Sequence, residues 1–299
     1  MRTLVVAVAL ATGVVAQDAQ PAPSAAASPG DVQVYLTAVD ASGALVADLD
    51  RQDFEIYDDG RRRPLTSFQS SVQPINVVIL IDASASLELV QEQIKISAER
   101  VMERLGPDDR ARIGSFSNEV VIKPEATSDR VALARALNGS MSRRARAPTL
   151  LWDAIDLAIA AVASESGRRV VLVFTDGDDT GSRSTNFNRV VERAQADDVM
   201  VYGVGVTRLV PGTNPLRMVS VTPNARLRRF ADETGGGYVE LTLKTDLGAT
   251  FARVADELHR QYLLGFTPDR PDGAMHELRV TPMRPGLHVR ARLRYRAPS

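Results

Sequence analysis

Asp82, Ser84 and Ser86 stand at the end of an apolar run, Ile75-Asn-Val-Val-Ile-Leu-Ile-Asp82-Ala-Ser84-Ala-Ser86. A run of this kind reads as a buried strand, and the carboxyl ends of strands in open α/β sheets are where ligands bind. One carboxylate and two hydroxyls offer oxygen donors and no strong base. That set suits a hard divalent cation such as Mg²⁺, which takes about six oxygens and keeps some of them as water. A polar turn that caps the next helix would use the same residue types. Two further segments bear on the choice. Val170-Val-Leu-Val-Phe-Thr175-Asp176-Gly177 is a second apolar run that ends in an acid and a Gly turn, and Ala147-Pro148-Thr149 places a hydroxyl ahead of a helical pattern. Asp82, Ser84, Ser86, Thr149 and Asp176 can therefore converge on one cation from the loops at one end of an α/β sheet.

These five residues resemble the metal-ion-dependent adhesion site of von Willebrand factor A domains, over roughly residues 74 to 265. The resemblance implies that Ser84, Ser86 and Thr149 ligate the metal directly. It implies that Asp82 and Asp176 ligate it directly or through water, and that the Thr149 loop moves when an acidic ligand engages. The metal would be Mg²⁺, with Mn²⁺ or Ca²⁺ as alternatives. One departure stands out. The loop before the threonine, usually Gly-Gly in that family, is Ala147-Pro148 here, and proline stiffens it and removes an amide donor.

The elements that must position these residues follow from periodicity. Leu87, Val90, Ile94, Val101 and Leu105 mark one helix face, closed by Gly106-Pro107. Residues 112–116 and 120–123 read as a hairpin around Ser117-Asn118. Residues 131–137, 150–162, 190–196 and 227–234 read as helices, 199–206 and 238–241 as strands, and Phe251, Val254 and Leu258 as a last helix. This alternation predicts an α/β fold, a doubly wound and mostly parallel sheet. On either side the period changes to that of strands: Val32 to Ala38 and Phe54 to Phe68 before it, residues 262–267, 278–281 and 287–295 after it. Neither flank has enough strands to be stable alone. Residues 31–73 and 268–299 are thus expected to pair into one small β domain, with the A domain, residues 74–267, inserted in it. Asp53 to Gly60 and Tyr262 to Pro268 resemble a bacterial secreted subfamily of such proteins.

Lys plus Arg number 36 and Asp plus Glu 37, a formal net charge of −1, so no global charge points to nucleic acid or an anionic membrane. Met1-Arg2 followed by an apolar stretch to Val15 and a small residue at Ala16 predicts a signal peptide, residues 1–16. The stretch is shorter than the about 20 residues of a permanent span; an uncleaved anchor is the alternative. Residues 17–30 are a Pro/Ala/Ser linker, expected to be disordered. The chain has no cysteine, hence no disulfide and no lipid-modified cysteine. A secreted or periplasmic location follows.

Other motifs carry less. Gly203-Val-Gly205 is followed by Arg208, which leaves the dinucleotide fingerprint incomplete. Gly235-Gly236-Gly237 reads as a helix end turning into a strand. A serine hydrolase needs a histidine base, and His259, His276 and His288 lie in the last helix or the flanking β segment, with surface or filler roles expected. His276 and His288 could face each other across a hairpin, too few ligands for zinc. Arg290, Arg292, Arg294 and Arg296 read as one face of a solvated edge strand, or as a surface for an anionic partner. Trp152 is expected to pack. The function that follows is a cation-dependent, adhesion-type protein-binding module. A partner Asp or Glu would complete the coordination, and no enzyme activity is expected. A periplasmic scaffold with a vestigial site is the alternative, and a metal-assisted hydrolase a third reading.

Overall fold

Alternation of apolar and polar residues builds the flanks, and doubly apolar strands build the centre. The computed structural model describes residues 30–140, 147–213 and 217–299. The expected signal segment, the linker up to Pro29, and Arg146 lie outside the described residues. Strands β1 (Val32–Val39), β2 (Phe54–Asp58), β3 (Arg61–Arg63) and β4 (Leu65–Gln69) come first. The central unit runs β5 (Ile75–Asp82), a 3-10 turn (Ala85–Val90), α1 (Gln91–Met102), β6 (Arg110–Phe116), β7 (Val120–Ile122), α2 (Arg130–Ser140), α3 (Leu151–Ala163) and β8 (Arg168–Thr175). It continues through α4 (Phe187–Ala196), β9 (Val199–Val206), β10 (Arg208–Pro211), β11 (Met218–Val221), α5 (Ala225–Glu233), β12 (Tyr238–Leu241) and α6 (Leu247–His259). Strands β13 (Tyr262–Phe266), β14 (Met275–Pro282), β15 (His288–Ala291) and β16 (Arg294–Arg296) end the chain.

The central sheet has the order β12-β9-β8-β5-β6-β7; all its pairs are parallel except β6 with β7. Successive strand residues face opposite sides, and here both sides are apolar. Ile75, Val77, Ile79 and Ile81 pack with α1, α2 and α6, while Val78 and Leu80 pack with α3, α4 and α5. The expected doubly wound sheet is therefore present. Trp152 packs edge-on against Phe187 at 5.2 Å between ring centres, as a core residue. The sequence reading missed the β10–β11 hairpin, because its residues alternate without a buried face.

The flanks form two four-stranded antiparallel sheets, β15-β1-β13-β4 and β16-β14-β2-β3, which share one core of Leu36, Ile56, Leu264, Leu278 and Tyr295 among others. N- and C-terminal flanks thus pair, as expected. One boundary moves. Strand β13, which the bounds 74–267 place in the A domain, pairs with β1 and β4. Its buried Tyr262, Leu264 and Phe266 complete the flank core, so the chain crosses between units near residue 260 rather than 267.

Two expectations about the C-terminal flank are overturned. Residues 287–295 are not one strand: the chain changes sheets at Arg292-Leu293, so β15 pairs with β1 and β16 with β14. Arg290 and Arg292 are consequently tethers rather than a solvated stripe. Arg290 pairs with Glu257 on α6, and Arg292 with Asp198 at 2.7 Å. The histidines are also placed differently. His276 lies opposite Tyr295 and His288 opposite Val39, so they do not face each other. His288 is exposed, but His259 donates or accepts at Asp109 at 2.7 Å, and His276 is buried.

His276 Nδ1 is 2.9 Å from Asp58 Oδ1 and its Nε2 is 3.0 Å from Asp272 Oδ1. Ligand atoms of Asp58, Asp59 and His276 lie within 4.8 Å of one another. Each carboxylate already accepts protein donors, from Tyr295 Oη and the Asp269 amide on Asp58, and from the Glu277 amide and Arg270 on Asp59. With both ring nitrogens on carboxylates, the group reads as an imidazolium held in an ion cluster. Burial opposes that charge, but the bonds to Asp58 and Asp272 outweigh it and raise the His276 pKa above its ordinary 6.5. Its contribution to stability is full below the unfolded value and lost as pH rises through the raised folded value. Replacing His276→Gln should cost about 2 kcal/mol at pH 5.5, and less at pH 9. Urea unfolding at the two pH values checks this; a cost that is independent of pH would show an uncharged ring.

Candidate functional site

Strands β5 and β8 are neighbours in the sheet, with Ile81 opposite Phe174. Their next residues, Asp82 and Thr175-Asp176, therefore emerge side by side at the same carboxyl end. Asp82 is fully buried. Its Oδ2 accepts from Thr175 Oγ1 at 2.7 Å and its Oδ1 from the Ser84 amide at 2.9 Å. Ser84 Oγ stands 3.0 Å from Ser86 Oγ, and Ser86 Oγ donates to Asp176 Oδ2 at 2.8 Å. Asp82, Ser84, Ser86 and Asp176 thus form one connected set of oxygens. The capping alternative can be judged here: Ser84 occupies the N-cap of the 3-10 turn, yet its side chain makes no capping bond. The hydroxyls face the acids instead.

Gly177 makes the turn that aims Asp176. It has φ +80, and a Cβ there would come within 2.9 Å of Asn224. Asn224 closes the turn from the other side by donating its amide to Asp176 O at 2.8 Å. Thr149 reaches the same loop through its backbone. Its amide donates to Thr180 Oγ1 at 2.8 Å, and its carbonyl accepts from the Thr180 and Gly181 amides at 3.1 and 3.0 Å. The helix after it starts later than its hydroxyl suggested. Leu150 is the N-cap of α3 and makes no side-chain bond. Asp179 Oδ1 serves the helix start by accepting from the Leu151 amide at 3.0 Å. Asp153, on the first turn of α3, accepts from the amides of Arg183, Ser184 and Thr185, which pins the loop after β8.

Electrostatics at this end favour a cation. Burial, and then the charge of Asp176, push the Asp82 carboxyl up to about 7. Two acids and three hydroxyls with no amine among them fit Mg²⁺ or Mn²⁺ by donor type. One cation is already built in. Arg208, the first residue of β10, places Nη1 3.2 Å from Asp176 Oδ2 and 3.0 Å from Asp178 Oδ2. Sequence reasoning missed both Thr175 and Arg208 as members of the site. Thr175 could have been found as the last buried residue before Asp176. Arg208 could have been found as a charge just past the end of β9.

The family model of the von Willebrand factor type A domain matches residues 76–246, more than half of the chain. The chain belongs to that family. Among solved structures, a von Willebrand factor type A protein from Catenulispora acidiphila is similar at 10% identity and TM-score 0.50, over 93% of this chain and 76% of that one. An aerotolerance-related membrane protein from Bacteroides fragilis aligns at 17% identity and TM-score 0.48, over 62% of this chain and 98% of that one. BatB from Bacteroides thetaiotaomicron aligns at 19% identity and TM-score 0.47, over 62% and 97%. At these identities the likeness is one of fold. None of the curated proteins compared matches the chain. Among the described residues no helix is long and apolar enough to cross a membrane. Domains of this family are typically protein-interaction modules; here the oxygen-lined face lies at the carboxyl ends of β5 and β8.

Proposed function

We propose that this A domain is a divalent-cation-dependent, adhesion-type protein-binding module that works outside the cytoplasm, in the periplasm or as a secreted protein. The observation that carries the reading is the chain of contacts from Asp82 through Ser84 and Ser86 to Asp176 at one strand end. Asp82, Ser84, Ser86, Thr149 and Asp176 would hold Mg²⁺, or Mn²⁺ or Ca²⁺ in its place. Bound by hydroxyls and few carboxylates, the ion keeps net positive charge and supplies an attraction for one more oxygen. An Asp or Glu of a partner protein would take that place. The rim around it, near Ser86, Thr149 and Asp178-Asp179, would set which partner fits. We assign residues 31–73 and the C-terminal flank to one split β domain that presents this face, and residues 1–16 to a signal peptide.

One observation favours a second reading. The guanidinium of Arg208 already sits on Asp176 and Asp178, as a structural cation would in a scaffold with a vestigial site. Titration calorimetry of the full chain with MgCl₂ and MnCl₂ separates the two. Binding between tens of micromolar and millimolar, about the range of an oxygen site with few charges, is expected. Absence of heat would favour the scaffold. Replacing Arg208→Gln should tighten Mn²⁺ binding by at least about tenfold, because a guanidinium about 4 Å from the doubly charged ion repels it by ~2 kcal/mol even at the dielectric of bulk water. Unchanged affinity in that variant would mean that Arg208 and the ion do not share Asp176.

A further inference from the structure

The other end of the central sheet holds a second charged centre, independent of the cation reading. Strand β8 opens with Arg168-Arg169, where the sheet meets the flank sandwich. Arg168 is buried, with only 1% of its surface exposed. Its Nη2 reaches no better acceptor than the Met200 thioether at 3.9 Å, and its Nε and Nη1 meet no acceptor at all. The ring of Tyr35, on β1, lies 5.8 Å from its guanidinium carbon. Asp109, whose charge also acts on Arg168, is engaged by His259 and by the amides of Ile75 and Gly106.

Two more arginines converge there. Arg169 Nη2 donates to Asp198 Oδ2 at 3.2 Å, and Arg292 Nη1 to Asp198 Oδ1 at 2.7 Å. The Nε atoms of both are buried without an acceptor. Tyr35, Arg168, Arg169, Asp198, Met200 and Arg292 line a cavity of about 10 Å³, which is about the room one water-sized species needs. Two of the three guanidiniums thus share Asp198, Asp109 near the third is already engaged by His259, and four of their buried nitrogens have no partner.

We propose that this seam binds a monatomic inorganic anion of the chloride class, held by Arg168 with Arg169 and Arg292. An unpaired buried charge is costly, and an orphaned buried donor adds to that cost. A water could accept about two of these N–H bonds and would leave the excess charge in place. A halide accepts several N–H donors at once and removes one charge. The cavity is too small for a carboxylate, sulfate or phosphate. The residues come from both units, Tyr35 and Arg292 from the flank strands, Arg168, Arg169 and Met200 from the central sheet. Bound anion would therefore fasten the flank sandwich to the A domain.

The test is thermal unfolding of the full chain at constant ionic strength, with sodium chloride exchanged for sodium gluconate. The midpoint should rise by about 3 °C for each tenfold increase in chloride above its dissociation constant. Arg168→Met should flatten that slope, and Arg51→Gln, on the exposed side of the sandwich, should leave it unchanged. If Arg168→Met does not fold, chloride NMR line broadening by the wild type, competed away by bromide and weakened in Arg292→Gln, takes its place. A midpoint that is equal in chloride and gluconate would overturn the proposal and leave a water in the cavity. So would a slope retained in Arg168→Met, or line broadening that bromide and Arg292→Gln leave unchanged.

Discussion

Replacing Asp82→Asn should abolish Mn²⁺ binding and, in EDTA, make the protein more stable. Both effects come from one carboxylate. In the fold it is fully buried beside a second acid, and its pKa is pushed from 3.8 to about 7. An acid whose folded pKa is raised stabilises the fold only below its unfolded value; that stability is lost as pH climbs through the folded one. At pH 8 the ionised group therefore strains the metal-free protein, by on the order of 2–4 kcal/mol. Asparagine keeps the shape, accepts from the Ser84 amide, and carries no charge. The unfolding midpoint of Asp82→Asn should then exceed that of the wild type by several degrees at pH 8, with the gap closing towards pH 4. Its Mn²⁺ affinity should fall by more than about a hundredfold, since losing a ligand costs at least as much as losing a group that merely hydrogen-bonds to one. Scanning calorimetry in EDTA and titration calorimetry with Mn²⁺ read the two effects separately. Equal affinity in variant and wild type would remove Asp82 from the site. A lower midpoint at pH 8 would show that its charge is already compensated.

The opposite signs explain what could be read from the chain and what could not. Asp82, Ser84, Ser86 and Asp176 were legible because they follow runs whose only sense is a buried parallel strand, and adjacent parallel strands end at the same edge of a sheet. Residues such as Ile79 and Val78 belong to two different cores, so their common apolarity, with no alternation, was itself the signal. The flanks were legible as strands but not as partners in detail. Nothing local shows that the chain changes sheets at Leu293, and so Arg290 to Arg296 looked like one exposed face. Long-range ion pairs were invisible for the same reason. Arg208 with Asp176, Arg292 with Asp198, and His276 with Asp58 each join segments far apart in sequence. Spacing rules describe neighbours along an element; they do not describe which charge a distant loop will deliver. The helix after Thr149 starts only at Leu151, and that start is served by Asp179 from across the site, a partner that no local pattern announces.

That last detail makes Thr149 the residue that best separates fold from function. Its backbone is fixed without its side chain. The amide and carbonyl are held by Thr180 and Gly181, and the next amide, of Leu150, donates to Ser117 O at 2.9 Å. Thr149→Ala should therefore cost the fold no more than about 1 kcal/mol. It removes one of the five proposed oxygens, and with it the geometry that offers the remaining position to a partner carboxylate. The variant should unfold within a few degrees of the wild type yet fail to retain partners that the wild type captures in Mg²⁺ from an extract of the source cells. Wild type in EDTA should fail in the same way, and a partner peptide with its acidic residue changed to amide should fail in Mg²⁺. Capture that survives both EDTA and Thr149→Ala would move the interface away from the strand ends. The partner would then dock on the β sandwich, and the ion pair of Arg208 with Asp176 and Asp178 would be the site's resident cation.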